Sequence, residues 1–397
     1  MKTSRIAVVG SGIAGITAAY YMARQGHYVT VFDEERYPAM KTSFANGGQV
    51  SVSNSETWTT WANVWKGMKW ILKKDAPLLI RPDLDLDKAL WLAKFLWHTA
   101  NNAYARNTVE TIKIGIDARK RFKHIIEREN LEFDQVYSGI LHLYKDPSYL
   151  DASYMAEEMY RSAGCEWQPV FSEEILNIEP TLGHAPNILG GIWTSSDWTG
   201  DIHKFCQALA KVMDEKYNVD FVFGNKITSI DHDLDLYDHV IIAAGIGSKR
   251  LAKTIGDRLP IYPVKGYSIT INLDEQSKQY APTVSLLDDQ AKVVTARLGD
   301  RLRVAGTAEL AGENYDIRRD RIEPLLNWVH NNFPHINTSN YSSWACLRPM
   351  TPNMMPIVGR SKRRHNVWYH TGHGHLGWTL SPSTANALAK MITNQDS

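Results

Sequence analysis

A short apolar run, Arg5-Ile6-Ala7-Val8-Val9, leads directly into Gly10-Ser11-Gly12-Ile13-Ala14-Gly15. A helical spacing of apolar residues follows at Ile16, Ala19, Tyr20 and Ala23. Strand, glycine turn and helix in this order leave the chain few options, because each glycine has its own task. Gly10 permits the tight turn, Gly12 lets the backbone approach a pyrophosphate, and Gly15 lets the helix lie close to the strand. The first amides of the helix, at Ile13 and Ala14, then face the phosphates, where unpaired N–H groups and the helix dipole favour negative charge. A second apolar strand, Tyr28-Val29-Thr30-Val31-Phe32, ends at Asp33, with Glu34 beside it. An acid about 20 residues beyond the glycines sits where a ribose hydroxyl needs an acceptor. The plainer reading of Asp33 is a surface acid that caps a helix.

The bulk properties exclude several classes. At 397 residues the chain has room for two domains or one large one. Hydrophobic content of 44% and charged content of 22% are ordinary for a globular protein. A net charge of +1 gives no electrostatic footprint for nucleic acid. Cys165, Cys206 and Cys346 are far apart and form no C-x-x-C pair. That pattern is neither a disulfide scaffold nor a cysteine zinc site, and it points to a reducing compartment. The first strand begins almost at once, which leaves no room for a signal peptide, and no apolar run is long enough to span a bilayer. A cytoplasmic location is expected, with attachment to the inner membrane surface left open.

Nucleotide-domain signatures recur along the chain. Residues 1–35 read as strand, helix, strand. Helical patterns cover about 86–98, 108–129, 148–163 and 201–216. The apolar run Val240-Ile241-Ile242-Ala243-Ala244 reads as a buried strand closed by Gly245. From Ile261 to about Gly306 the pattern turns to strands, a helix follows at 320–333, and the end of the chain reads strand, glycine loop, helix. This interleaving predicts an α/β protein with a discontinuous Rossmann-like nucleotide domain (residues 1–56, 191–257 and 345–397). Residues 57–190 and 258–344 would form a sheet-based substrate domain. Residues 57–74 read as one amphipathic helix with Trp58, Trp61, Trp65, Met68 and Leu72 on a single face. Core burial suits that face, and so does a membrane interface, with lysines lying elsewhere.

Two further segments carry chemistry. In His370-Thr371-Gly372-His373-Gly374-His375-Leu376-Gly377-Trp378-Thr379 the glycines between the histidines, and the lack of a fourth ligand, argue against a metal. A glycine loop opening a helix reads better as an anion cradle. In Leu347-Arg348-Pro349-Met350-Thr351-Pro352 two prolines stiffen the placement of a guanidinium whose fork suits a carboxylate. A structural salt bridge is the equal alternative on residues alone.

Taken in order, these motifs resemble the bacterial D-amino acid dehydrogenase family, within the FAD-dependent amino acid and amine oxidase superfamily. Gly10 to Gly15, Thr42-Ser43-x-x-Asn46-Gly47-Gly48-Gln49, Pro263-Val264-Lys265-Gly266-Tyr267-Ser268, the Arg348 segment and the Thr371–Thr379 loop carry the resemblance across nearly the whole chain. It implies FAD. The Thr42–Gln49 loop would pass the flavin ring, Ala244 and Gly245 would lie beside the adenosine, and the 371–379 loop would stabilise negative charge on the reduced ring. Arg348 would hold a substrate carboxylate and Tyr267 would add a pocket hydroxyl. The implied reaction is hydride transfer from Cα of a D-amino acid to flavin N5. Hydrolysis of the imino acid to a 2-oxo acid and ammonia would follow, with electrons passing to a quinone or other acceptor.

Departures from the family pattern bear on detail. Ala291 stands where many members carry tyrosine, which implies a roomier or differently polar pocket. Cys346 stands where sarcosine-oxidase relatives bear a flavin-linking cysteine and closer relatives have glycine. A buried thiol beside non-covalent FAD is the favoured reading over a covalent link. Alternatives of related chemistry are a glycine- or sarcosine-type oxidase and an L-amino acid deaminase. A flavin-binding protein without turnover, or a nicotinamide dehydrogenase, would be a different class.

Overall fold

A computed structural model describes residues 3–70, 78–80 and 84–395. The apolar run at the start forms the strand Arg5–Val9, in the interior of a six-stranded sheet. Its neighbours are Tyr28–Asp33 on one side and His239–Ile242 on the other, both parallel to it. Asp220–Phe223 extends the sheet beyond Tyr28–Asp33, and Val367–Thr371 extends it beyond His239–Ile242, both again parallel. Ile357–Arg360 closes the edge antiparallel. The central strands are apolar on both faces, as parallel strands sandwiched between layers must be. The helices Ile13–Arg24 and Gly377–Thr393 share one core on one face. Each begins just past the carboxyl end of a parallel strand, where open α/β sheets bind ligands.

The second sheet has nine strands. Tyr341–Met350, Tyr262–Asn272, Arg301–Leu310 and Val293–Leu298 follow one another antiparallel. Ser285–Asp288, Ile140–Tyr144, Gly190–Thr194 and Gln168–Val170 continue the sheet, and Leu78–Ile80 pairs with Arg301–Leu310. The helix Arg319–Asn332 packs on one face through Ile322, Leu325 and Val329. Two boundaries expected from the sequence, at 191 and 345, fall inside strands of this sheet, Gly190–Thr194 and Tyr341–Met350. The second of these carries Cys346 and Arg348 into the large sheet before the chain returns to the small one.

The helix expected over 57–74 begins later, and residues 71–74 lie outside the described ones. It runs Trp61–Trp70, and Trp58 precedes it. Trp61, Trp65 and Met68 are exposed, so core burial does not hold for them. Leu72 lies outside the described residues. Trp58 belongs to a different setting, stacked on His375 at 4.9 Å.

Candidate active site

A single cavity of about 970 Å³ runs between the two sheets. Its nucleotide end is built by the glycine turn. Gly10 has φ +106°, and a β-carbon there would meet the Ala243 carbonyl. A β-carbon on Gly15 would run into the Gly10 carbonyl oxygen, so the helix can approach the strand only with glycine there. Gly12 caps the helix, its carbonyl accepting from the Ile16 amide at 2.9 Å. The Ile13 amide donates to Ser43 Oγ at 3.2 Å, and the Ala14 carbonyl accepts from His370 Nδ1 at 2.8 Å. Asp33 Oδ2 accepts from the amide and hydroxyl of Ser11, both at 2.6 Å. Each carboxylate oxygen can accept more than one hydrogen bond, so Asp33 keeps capacity for a ribose hydroxyl. Glu34 is committed differently. Burial would raise its pKa, yet hydrogen bonds from Lys226 and Lys41 hold it at about 2.

The loop after Lys41 crosses to the large sheet. Thr42 Oγ1 donates to the Leu347 carbonyl at 2.8 Å and lies 3.4 Å from Cys346 Sγ. Asn46 Oδ1 accepts from the Gly48 amide at 3.0 Å, and the Asn46 carbonyl accepts from Arg303 at 3.0 Å. β-Carbons on Gly47 and Gly48 would strike Val294 and Ala296 of the sheet, so this loop lies flat on its strands. Gln49 Nε2 donates to Ser285 Oγ at 2.8 Å.

The final strand and helix close the opposite wall. Gly245 and Gly372 both have positive φ, and Thr371 Oγ1 donates to the Gly245 carbonyl at 3.3 Å. His370 and His373 both reach Thr384 Oγ1, at 2.8 and 3.0 Å. Burial lowers both imidazoles, His370 to about 4. Ala244, Gly374, Leu376, Gly377, Trp378 and Thr379 line the cavity beside them. Thr379 Oγ1 accepts from the Ser51 amide at 3.2 Å, and Trp378 Nε1 donates to the Gly48 carbonyl at 3.3 Å. Of the cofactor residues expected from the sequence, Gly15 and Gly48 stand behind the wall and the rest line it.

Arg348 lies on the cavity side of the large sheet, half-buried, across from Val264 and beside Gly266. Its Nη1 donates to the Thr307 carbonyl at 3.2 Å. Among the described residues no carboxylate pairs with it, which removes the structural salt bridge as its role. Burial lowers its pKa to about 10, so it stays charged at neutral pH. Tyr267 is one residue out of phase. Strand alternation turns it to the helix side, where its hydroxyl donates to Glu309 Oε2 at 2.6 Å. Tyr267 still borders the cavity, with its hydroxyl engaged by Glu309. Ala291 also packs against the helix-side core and does not line the cavity, so the roomier pocket expected there does not arise from it.

Several cavity groups have settings that no sequence motif announces. His375 is held neutral, with a pKa near 3, by burial and the nearby Arg348 charge. His375 Nε2, Trp344 Nε1 and Thr307 Oγ1 are buried without a hydrogen-bond partner among the described residues. Thr307 sits at φ +56° beside a bulge in the sheet, a placement no local pattern announces.

The sequence matches the family described as "FAD dependent oxidoreductase" over residues 5–391. The chain belongs to this family. It is 46% identical to "D-amino acid dehydrogenase 3" of Mesorhizobium japonicum, covering 98% of this chain and 97% of that one. It is 38% identical to a "D-amino acid dehydrogenase" of Dechloromonas aromatica, again over 98% and 97%. The fold is similar to that of glycine oxidase from Bacillus cereus, with a TM-score of 0.74 at 16% identity, covering 99% of this chain and 96% of that one. The cavity fits FAD on its own terms. A β-carbon on Gly12 would project into the cavity beside Ser43, where a pyrophosphate would lie. The far end holds polar atoms without a partner among the described residues, beside a guanidinium that none of their carboxylates pairs.

Proposed function

We propose that this protein oxidises a D-amino acid to the 2-oxo acid and ammonia. Arg348 is the observation that carries the substrate class: a charged fork, free of protein carboxylates among the described residues, on the wall of the FAD cavity. Its geometry suits bidentate capture of the substrate carboxylate. The relatives' names carry the stereochemistry of this reading. Bound FAD supplies the acceptor for a hydride leaving Cα. The chain's own contribution is alignment: Arg348 fixes one end of the substrate so that Cα is held at attack distance. The N-terminal amides of the helix Gly377–Thr393 present partial positive charge to the cavity. His375 stays neutral and does not compete for the carboxylate. The imino acid then hydrolyses in water. Turnover of D-alanine or D-leucine with a soluble dye should give equimolar 2-oxo acid, ammonia and reduced dye. Ammonia without 2-oxo acid, or no turnover of any D-amino acid, contradicts the reading.

We infer that the FAD is held without a covalent bond. Burial raises the Cys346 thiol, which keeps it protonated and a weak nucleophile. Acid precipitation should leave the yellow colour in the supernatant, whereas a yellow pellet contradicts the inference.

We further propose a quinone as acceptor and contact with a membrane surface. No helix among the described residues is long and apolar enough to cross a membrane. Trp61 and Trp65 on one helix and Leu90 and Trp97 on the next are exposed, at 52%, 61%, 61% and 61%. The same two helices wall the cavity through Val64, Gly67, Leu92 and Phe95. An aromatic surface of this kind, with the exposed Lys69 beside it, suits a lipid interface. It would bring an apolar acceptor to the cavity mouth.

A further inference from the structure

The cavity extends past Arg348 into a polar lobe that the reaction as derived does not use. Glu56, His142, Asp289 and Lys292 all line it. The segment from Asn54 to Trp58 connects this lobe to the Arg348 end. Trp58 stacks on His375, and the Arg348 charge bears on the His375 imidazole. The segment is fixed from behind by the helix Ala103–Glu129, where Thr108 Oγ1 accepts from the Thr57 amide at 3.1 Å.

Most charged groups of the lobe are committed to one another. Asp289 accepts from Lys292 at 2.8 Å, and its other oxygen lies 3.4 Å from His142 Nδ1. His142 Nε2 lies 2.9 Å from Ser53 Oγ. Lys66 sits over the Tyr149 ring at 4.1 Å, with Lys292 over the same ring at 5.8 Å. Glu56 differs. One of its oxygens accepts from the Tyr104 hydroxyl at 2.8 Å. The other makes no hydrogen bond among the described residues, although the side chain is accessible from the cavity. Trp167, also on this wall and only 4% exposed, has an indole N–H without a partner among the described residues. Burial raises the Glu56 carboxyl, as expected for an acid with no cation in direct contact. The Glu56 side chain is exposed where the lobe opens, so without ligand its second oxygen is free to meet water. A ligand that fills the lobe displaces that water and must supply a donor in its place.

We propose that Glu56 selects D-amino acids whose side chain carries a hydrogen-bond donor, a hydroxyl or an ammonium. With the carboxylate on Arg348, the side chain extends along the cavity toward Glu56. An apolar isostere that fills the lobe would leave this acceptor dry and unpaired, and such a loss discriminates more strongly than a missing methylene in a hydrophobic pocket. The proposal rests on the reading of this cavity as a D-amino acid site.

Isosteric pairs test it: D-threonine against D-valine, and D-lysine against D-norleucine. The readout is kcat/KM from anaerobic loss of the flavin band, which needs no acceptor. The donor-bearing member of at least one pair should exceed its apolar partner by roughly tenfold or more. Which pair discriminates identifies the donor as hydroxyl or ammonium. In Glu56→Leu the ratio should fall to about one. In Glu56→Gln an acceptor remains, so a hydroxyl preference should survive while an ammonium preference falls by roughly tenfold. Flavin absorbance of each variant reports whether the cavity is intact, and the wild-type ratios stand alone if a variant does not fold. Ratios near one in both wild-type pairs overturn the proposal, as does a ratio that survives Glu56→Leu. Either result leaves the D-amino acid reading standing if the apolar partners reduce the flavin. If no D-amino acid reduces it, both fail together.

Discussion

The guanidinium of Arg348 occupies the space that a β-carbon on Gly266 would need. The two residues sit on neighbouring antiparallel strands, with Gly266 opposite Cys346 and Arg348 opposite Val264. Glycine at 266 therefore lets the arginine lie flat across the sheet, with Thr307 holding one edge of the fork. Gly266→Ala should leave a folded, yellow protein, because the far end of a flexible side chain can move aside. The displaced fork should raise KM at least tenfold. Arg348→Met removes two charge-assisted hydrogen bonds of about 1.5–3 kcal/mol each, a loss of roughly 10²- to 10⁴-fold in kcat/KM. Arg348→Lys keeps the charge without the fork and should fall between. Steady-state kinetics on the three variants check the order.

The glycines of the turn should separate folding from cofactor binding. A β-carbon on Gly12 makes only an ordinary contact with Ser43, so Gly12→Ala should fold. It would stand where the backbone must approach a pyrophosphate, and the Kd for FAD should rise at least tenfold. A β-carbon on Gly15 meets the Gly10 backbone instead, so Gly15→Ala should lower Tm even without FAD. Flavin titration of the apoprotein and thermal melts distinguish the two.

Stability should depend on pH through the buried histidines. Burial holds His370 near 4, His375 near 3 and His373 well below its usual value. Between their ordinary pKa of about 6.5 and these values, the unfolded chain binds protons that the native state does not. Stability therefore rises with pH across that window and is lost toward acid, by up to about 1.4 kcal/mol per pH unit for each imidazole. Glu56, raised by burial, opposes this with one group against three. The carboxylate of Glu34, held near 2, adds to the acid loss only below about 4.5. Melting temperatures should climb from about pH 4.5 to 6.5. A flat profile there would contradict the burial of these rings.

Replacing Trp61 and Trp65 by serine should abolish flotation with anionic vesicles while flavin reduction by substrate is retained. Neither side chain lines the cavity, so a parallel loss of flavin reduction would mean that they support the fold instead.

Local signals and long-range placement differed in how far the sequence revealed them. The glycine turn, the acid at 33 and the tail loop were legible because backbone constraints act over a few residues. Arg348 was legible as a stiffened guanidinium, but its freedom from carboxylates depended on which strands would flank it. Tyr267 shows the limit most directly. Its motif was recognisable and it borders the cavity, but the commitment of its hydroxyl to Glu309 depended on how distant strands pair across the sheet. Glu56 lies in a loop without a motif, and its setting is assembled from Tyr104, Asp289 and Lys292, residues distant in the chain. The aromatic spacing at 58–68 was real, but periodicity cannot tell a core face from an uncovered one.

The most direct test of the central claim is an anaerobic titration of the purified protein, watched at the visible flavin band. D- and L-amino acids are added separately. Bleaching by D-amino acids alone, lost in Arg348→Met with the flavin still bound, is the predicted result. Bleaching by L-amino acids alone, or full bleaching by D-amino acids in Arg348→Met, would contradict it.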